Sequence, residues 1–203
     1  MSSRRSPAWW ALAGQVDVAA RQAAGRRAMV GPFGLDDPAH SDADHALRWP
    51  AGFSPRCADA WARSELVVKA EPAAVFSRLI TPRHWERDFS GIRNVRFSAP
   101  GHGCLEPDSE FEFEVDGLRL EVRVIELAVG RLAWSGQGTD INVYHAWLVS
   151  GGPGKSSAVR TGFAARGAAA VALTEPDPGR THAMLDRWVR DLKKAAEGAR
   201  SLR

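Results

Sequence analysis

His145 carries more chemical potential than any other residue in this chain. Val143, His145, Trp147 and Val149 alternate with Asn142, Tyr144, Ala146 and Leu148. That period of two belongs to a strand, and it puts the imidazole on one face with apolar side chains. If the face lines an interior, the ring could hydrogen-bond a ligand carbonyl or move a proton near neutral pH. A histidine satisfied by a backbone carbonyl or a neighbouring strand reads the same way. The phase stays open here, because the opposite alternation exchanges His145 with Tyr144.

Other patterns carry less. Glu110, Glu112, Glu114 and Asp116 repeat every second residue, which spreads them along about 20 Å of strand, too open to hold calcium or magnesium. They read as a solvated sheet face. "GGPG" at 151–154 lacks the Lys-Ser pair and following helix of a phosphate loop, so it reads as a hairpin turn. Cys57 and Cys104 stand far apart without ligand spacing and read as free thiols of a reducing compartment. No Ser-His-Asp order or dinucleotide fingerprint is present. Neither a metal nor a cofactor is expected.

The elements that must position His145 follow from the pattern around it. Residues 63–163 read as a succession of strands. The clearest is "EFEFEVD" at 110–116, with Phe111, Phe113 and Val115 on one face and the acids on the other. Gly117 turns into "LRLEVRVIEL", where Leu118, Leu120, Val122 and Val124 alternate with Arg119, Glu121 and Arg123. The two strands pair, acids opposite arginines on the outer face. Residues 62–70, 92–97, 131–136, 142–149 and 157–164 supply further strands. Pro72 opens a short helix and Pro82 ends it, with a second short turn at "RHWERDF". Residues 181–197 form one long amphipathic helix, with Thr181, Leu185, Trp188, Leu192 and Ala195 on its apolar stripe. A sheet followed by such a helix curls around it and leaves a cavity between the two.

Composition bounds the rest. A chain of 203 residues with 44% hydrophobic content can bury a full core and makes one domain, expected at 46–203, plus an extension at 1–45. Within the extension, residues 8–29 carry a helical period through Trp9, Leu12, Val16, Ala20 and Ala23, and 31–45 reads as linker. The apolar run after Arg4 and Arg5 is too short for a signal peptide, and no stretch nears the roughly 20 residues of a membrane span. A cytoplasmic protein without stable membrane insertion is expected. The net charge is +3, but basic ends flank an acidic middle, so no continuous phosphate-tracking surface forms and no nucleic-acid partner is expected.

The order of strand, two short helices, further sheet and long C-terminal helix resembles the SRPBCC superfamily, also called START-like or Bet v 1-like. Within it the chain is closest to the polyketide cyclase/dehydrase and lipid-transport group. The matching stretches are "EPAAVFSRLITPRHW" (71–85), "GRLAWSGQG" (130–138), "YHAWLV" (144–149), "VRTGF" (159–163) and "LDRWVRDLKKAAE" (185–197), and "LRWPAGFSP" (47–55) is similar to the lead-in of some members. The resemblance implies an α+β helix-grip fold, a curved antiparallel sheet wrapped around the C-terminal helix and a deep hydrophobic cavity. It also implies that Val159, Thr161 and Phe163 face inward, with His84 and Trp85 at the cavity mouth. Where relatives often carry an acidic pattern, this chain has Thr161, Gly162 and Phe163, which makes the cavity less polar and lowers the expectation of catalysis.

The sequence therefore points to a binding protein for a hydrophobic small molecule such as a lipid, polyketide or isoprenoid. Its expected contacts are Phe111, Phe113, Val122, Trp134, His145, Trp147, Thr161, Phe163 and Trp188. The alternative is an enzyme of the polyketide cyclase/aromatase type that uses the same cavity, with His145 transferring a proton. A third possibility is an interaction module that docks a protein partner through its first helix.

Overall fold

The computed structural model describes residues 46–98, 103–175 and 177–198, all within one compact unit spanning 39–203. The helix expected at 8–29 and the linker at 31–45 lie outside the described residues. Seven strands run in the chain order β1 (Ala60–Val68), β2 (Ile92–Phe97), β3 (Glu110–Val115), β4 (Leu118–Ala128), β5 (Arg131–Gly138), β6 (Ile141–Gly151) and β7 (Ser157–Arg166). They form one antiparallel sheet in the order β1-β7-β6-β5-β4-β3-β2. Between β1 and β2 lie α1 (Pro72–Leu79), a 3-10 turn (Pro82–His84) and α2 (Trp85–Asp88). After β7 come α3 (Ala168–Thr174) and α4 (Arg180–Gly198). This is the helix-grip α+β architecture expected from the sequence.

α4 buries Thr181, Leu185, Trp188, Val189, Leu192 and Ala196. Ala196 and Val189 take the place of Ala195, which is only half-buried; the apolar stripe is wider than a strict seam, as in a helix packed on a sheet. Polar struts fix the helix on both flanks. Ser64 Oγ donates to Asp186 at 2.6 Å and the Lys69 amide to Glu197 at 2.7 Å. On the other side the Ser90 amide and hydroxyl reach Asp191 at 2.9 and 2.5 Å, and Arg187 pairs with Asp116 at 2.5 Å. The helix is thus tied to β1 and to the turns before β2 and β4.

The outer pairing of β3 and β4 departs from expectation at one rung. Glu110 faces Arg123 and Glu114 faces Arg119, but Glu112 faces Glu121. Arg119 reaches diagonally to Glu112 at 2.5 Å, which offsets the like-charge rung. α3 is an element the sequence did not announce. Its alanines have no polar face to set a period, and Gly167, at φ 115°, turns the chain into it with its Cα side against the Asp140 carbonyl.

The central strands β5, β6 and β7 are buried on both faces. Residues 46–58 run back across the outside of the sheet and seat Leu47, Trp49 and Phe53 on Ala133, Tyr144, Ala146 and Leu148. Gly162 lets this strap approach, since a Cβ there would stand 2.6 Å from Leu47 Cδ1 and 2.7 Å from Trp49 Cη2. Arg131 donates to the carbonyls of Ala46 (2.9 Å) and Leu47 (3.0 Å) and pairs with Glu126 at 2.6 Å.

Candidate functional site

The β5–β6–β7 register settles the phase of His145. His145 lies opposite Trp134 on β5 and Phe163 on β7, on the concave side with Trp147 and Thr161. Tyr144 takes the convex side, yet it is buried under the strap rather than exposed. Its single hydroxyl hydrogen is shared between the carbonyls of Leu47 (3.0 Å) and Arg48 (3.1 Å), and burial raises its pKa above the ordinary value. Tyr144 therefore does not belong to the interior that His145 occupies.

All nine residues expected to contact a ligand lie in the described interior, and several of them meet directly. The His145 ring centroid is 4.9 Å from Trp134, 5.0 Å from Trp147, 5.3 Å from Trp188 and 5.9 Å from Phe163. Phe113 packs edge-on to Trp134 at 5.8 Å and stacks with Phe111 at 6.0 Å. Val122 stands opposite Phe111 on β4. Sequence reasoning missed Phe89, whose ring joins Trp147 to Trp188 at 6.5 and 6.1 Å; it falls in a short irregular turn with no period to reveal it.

These side chains meet one another rather than open space. None of the nine exposes more than 5% of its surface. The deep cavity expected from the sequence is occupied, at these positions, by the large rings that were to line it. Trp85 is corrected as well. It is 3% exposed, donates its indole N–H to the Arg78 carbonyl at 3.2 Å and packs on Phe89, Phe111 and Phe113. That makes it core, not the mouth of a cavity. Two depressions among the described residues lie at the surface. One of about 450 Å³ sits between the turn before β2 and α4, and one of about 140 Å³ lies over β2, β3 and β4. Of the nine candidates only Phe113 borders either.

The electrostatics of the interior are set by His145. Thr161 Oγ1 stands 2.8 Å from His145 Nε2 and donates to the Ala146 carbonyl at 2.8 Å. A carbonyl can only accept, so the hydroxyl hydrogen is committed to Ala146 and Nε2 carries the proton that completes the chain. Nδ1 is left with a lone pair and no protein partner. Complete burial pushes the imidazole pKa down to about 3, so the ring is neutral at pH 7 and a poor base. That leaves little of the reason to expect proton transfer from it.

Nδ1 is not alone. The indole nitrogens of Trp134 and Trp188 and the hydroxyl of Thr181 are also buried without a partner. Other buried hydroxyls have partners: Ser157 Oγ donates to the Ala70 carbonyl at 2.6 Å and Thr81 Oγ1 to the Ser77 carbonyl at 2.7 Å. A buried polar group without a partner costs roughly 1–3 kcal/mol, so several on mutually packed rings are a marked departure from ordinary core chemistry. Among the described residues, the buried charged side chains include Arg131, on the convex face, and Asp88, which pairs with Arg78 and Arg87. No group of His, Cys, Asp and Glu among them could hold a metal ion, and no helix among them is long and apolar enough to cross a membrane.

Among solved structures, the chain is similar to a hypothetical protein of Helicobacter pylori, with 26% identity and a TM-score of 0.68 over 74% of this chain and 95% of that one. A START superfamily protein of Mycobacterium smegmatis matches with 14% identity and a TM-score of 0.54, over 70% and 99% of the two chains. Norcoclaurine synthase of Thalictrum flavum, in complex with dopamine and hydroxybenzaldehyde, matches with 14% identity and a TM-score of 0.51, over 68% and 86%. No family model and no curated protein matches the sequence.

Proposed function

We propose that this chain, which has the START-like (SRPBCC, Bet v 1-like) helix-grip fold, binds a hydrophobic small molecule between the sheet and α4. The observation that carries the reading is the set of partnerless polar groups, His145 Nδ1, Trp134 Nε1 and Trp188 Nε1, on rings packed together in an apolar interior. A core selected only for stability gains nothing from them, whereas a ligand would satisfy them. Aromatic walls with a few convergent polar groups are the usual make-up of a small-molecule site. The ligand enters by displacing ring side chains, and burial of its apolar surface at roughly 25 cal/mol per Å² supplies the affinity.

His145 serves here as a fixed neutral acceptor, not as a proton carrier. Lipids, polyketides and isoprenoids remain the classes that the resemblance offers. The exposed, unbridged Cys57 and Cys104 support placing the protein in a reducing compartment such as the cytoplasm. Native mass spectrometry of gently purified full-length protein should show an apolar adduct. A protein that purifies empty, and whose melting temperature no fatty acid, isoprenoid or aromatic polyketide raises, overturns the reading.

A further inference from the structure

The direction of the hydrogen bonds around His145 restricts what the interior can hold. The proton on Nε2 is spent on Thr161, whose own hydrogen is spent on Ala146. Nδ1 can therefore only accept. The indoles of Trp134 and Trp188, packed at 4.9 and 5.3 Å on the same imidazole, can only donate. One side of the deficit calls for a donor and the other for an acceptor.

We infer that the ligand carries a neutral hydroxyl, phenolic or alcoholic, which donates to His145 Nδ1 and accepts from the indole of Trp134 or Trp188. This inference rests on the small-molecule reading above and sharpens it to a chemical class. A hydroxyl is the smallest group that both donates and accepts. A ketone or ether answers the indoles but leaves Nδ1 unpaired. A carboxylate brings a charge into an interior whose buried polar side chains hold no cation on the concave face, and it too has no proton for Nδ1. An ammonium could donate to Nδ1, but the buried Asp88 carboxylate beside Phe89 is already paired with Arg78 and Arg87. Fatty acids are thereby the wrong class, despite their apolar tails.

The test is calorimetric titration of the full-length protein with four matched probes: 2-naphthol, 2-methoxynaphthalene, naphthalene and 2-naphthoate at pH 7. The inference expects 2-naphthol to bind about tenfold or more tightly than the ether and the hydrocarbon, the worth of about one buried hydrogen bond, with the carboxylate weakest. Equal binding of 2-naphthol and its methyl ether overturns the inference and leaves the small-molecule reading standing. So does tightest binding of 2-naphthoate. Binding of none of the four, together with a protein that purifies empty, overturns both. In His145→Phe the preference for 2-naphthol over the ether should collapse to within about twofold, the hydrogen bond being gone. Should that variant fail to fold, the wild-type Nδ1 nitrogen resonance decides. It should move on adding 2-naphthol and not on adding the ether; an unmoved resonance with naphthol bound overturns the assignment of Nδ1.

Discussion

The convex and concave faces of the sheet both bury polar side chains, and they treat them differently. On β6 the contrast falls on adjacent residues. Tyr144, on the convex side, shares its hydroxyl hydrogen between two strap carbonyls and accepts from an Arg131 guanidinium nitrogen at 3.5 Å. His145, on the concave side, satisfies one nitrogen and leaves the other bare. The convex face is not perfect, since Trp49 Nε1 and Arg166 Nε lack partners. Its central contacts are nonetheless closed: a buried cation holds backbone carbonyls and is itself held by Glu126. The convex face is organised as structure. The concave face is closed sterically, and three of its ring nitrogens have no protein partner.

The widest separation between the two faces should appear with acid. His145 titrates near 6.5 when unfolded and near 3 when folded. Between those values the unfolded chain binds more protons, so the contribution of His145 is fully present above about pH 6.5 and is lost progressively as the pH falls toward 3. The slope reaches about 1.4 kcal/mol per pH unit. From pH 7 to pH 4 the wild type should therefore lose on the order of 3 kcal/mol more than His145→Leu in urea unfolding. Parallel pH profiles would mean that His145 is not held neutral in the interior.

Arg131→Met should come next, because it strips partners from the Ala46 and Leu47 carbonyls and from Glu126. A loss of about 2–3 kcal/mol is expected, below the full value for a buried pair because Glu126 keeps contact with water. A change under about 0.5 kcal/mol would show that the strap is held by its apolar side chains alone.

Gly162→Ala tests the seat of the strap directly. The added methyl forces Leu47 and Trp49 outward, at a cost of about 1–2 kcal/mol, and should speed tryptic cleavage after Arg48 and Arg56 without altering ligand uptake. Unchanged proteolysis would sink the proposed seat.

The smallest and most pointed contrast pairs the neighbours on β6. Tyr144→Phe removes a satisfied hydroxyl and should cost about 1 kcal/mol. His145→Leu also removes a bare acceptor, so in the ligand-free protein at pH 7 it should cost less than Tyr144→Phe. If the two substitutions cost the same, the distinction between the faces is gone.

Much of the fold could be read from the sequence because period-two strands and one amphipathic helix are strong local signals. Phe111 and Phe113 against Glu110, Glu112 and Glu114 placed β3 with its inner face assigned, and Trp188 identified the face of α4. The strap was not readable. Its seat is a row of small residues, Ala133, Ala146 and Gly162, whose common face exists only once β5, β6 and β7 are paired. The departure at 161–163 thus has two physical meanings: Thr161 fixes the tautomer of His145, and Gly162 admits the strap. The members of the candidate site were legible as inward aromatics, while their packing was not. Whether inward rings line a space or fill it depends on volumes across several strands, which alternation does not encode.

The most direct measurement of the central claim is the pair of indole N–H resonances of Trp134 and Trp188 in the full-length protein, followed as 2-naphthol is added. The account predicts that at least one of them moves downfield on saturation, as its bare hydrogen gains an acceptor, while the indole of Trp85, already bonded to Arg78, stays in place. Both resonances unmoved at a concentration where the naphthol is demonstrably bound would contradict it.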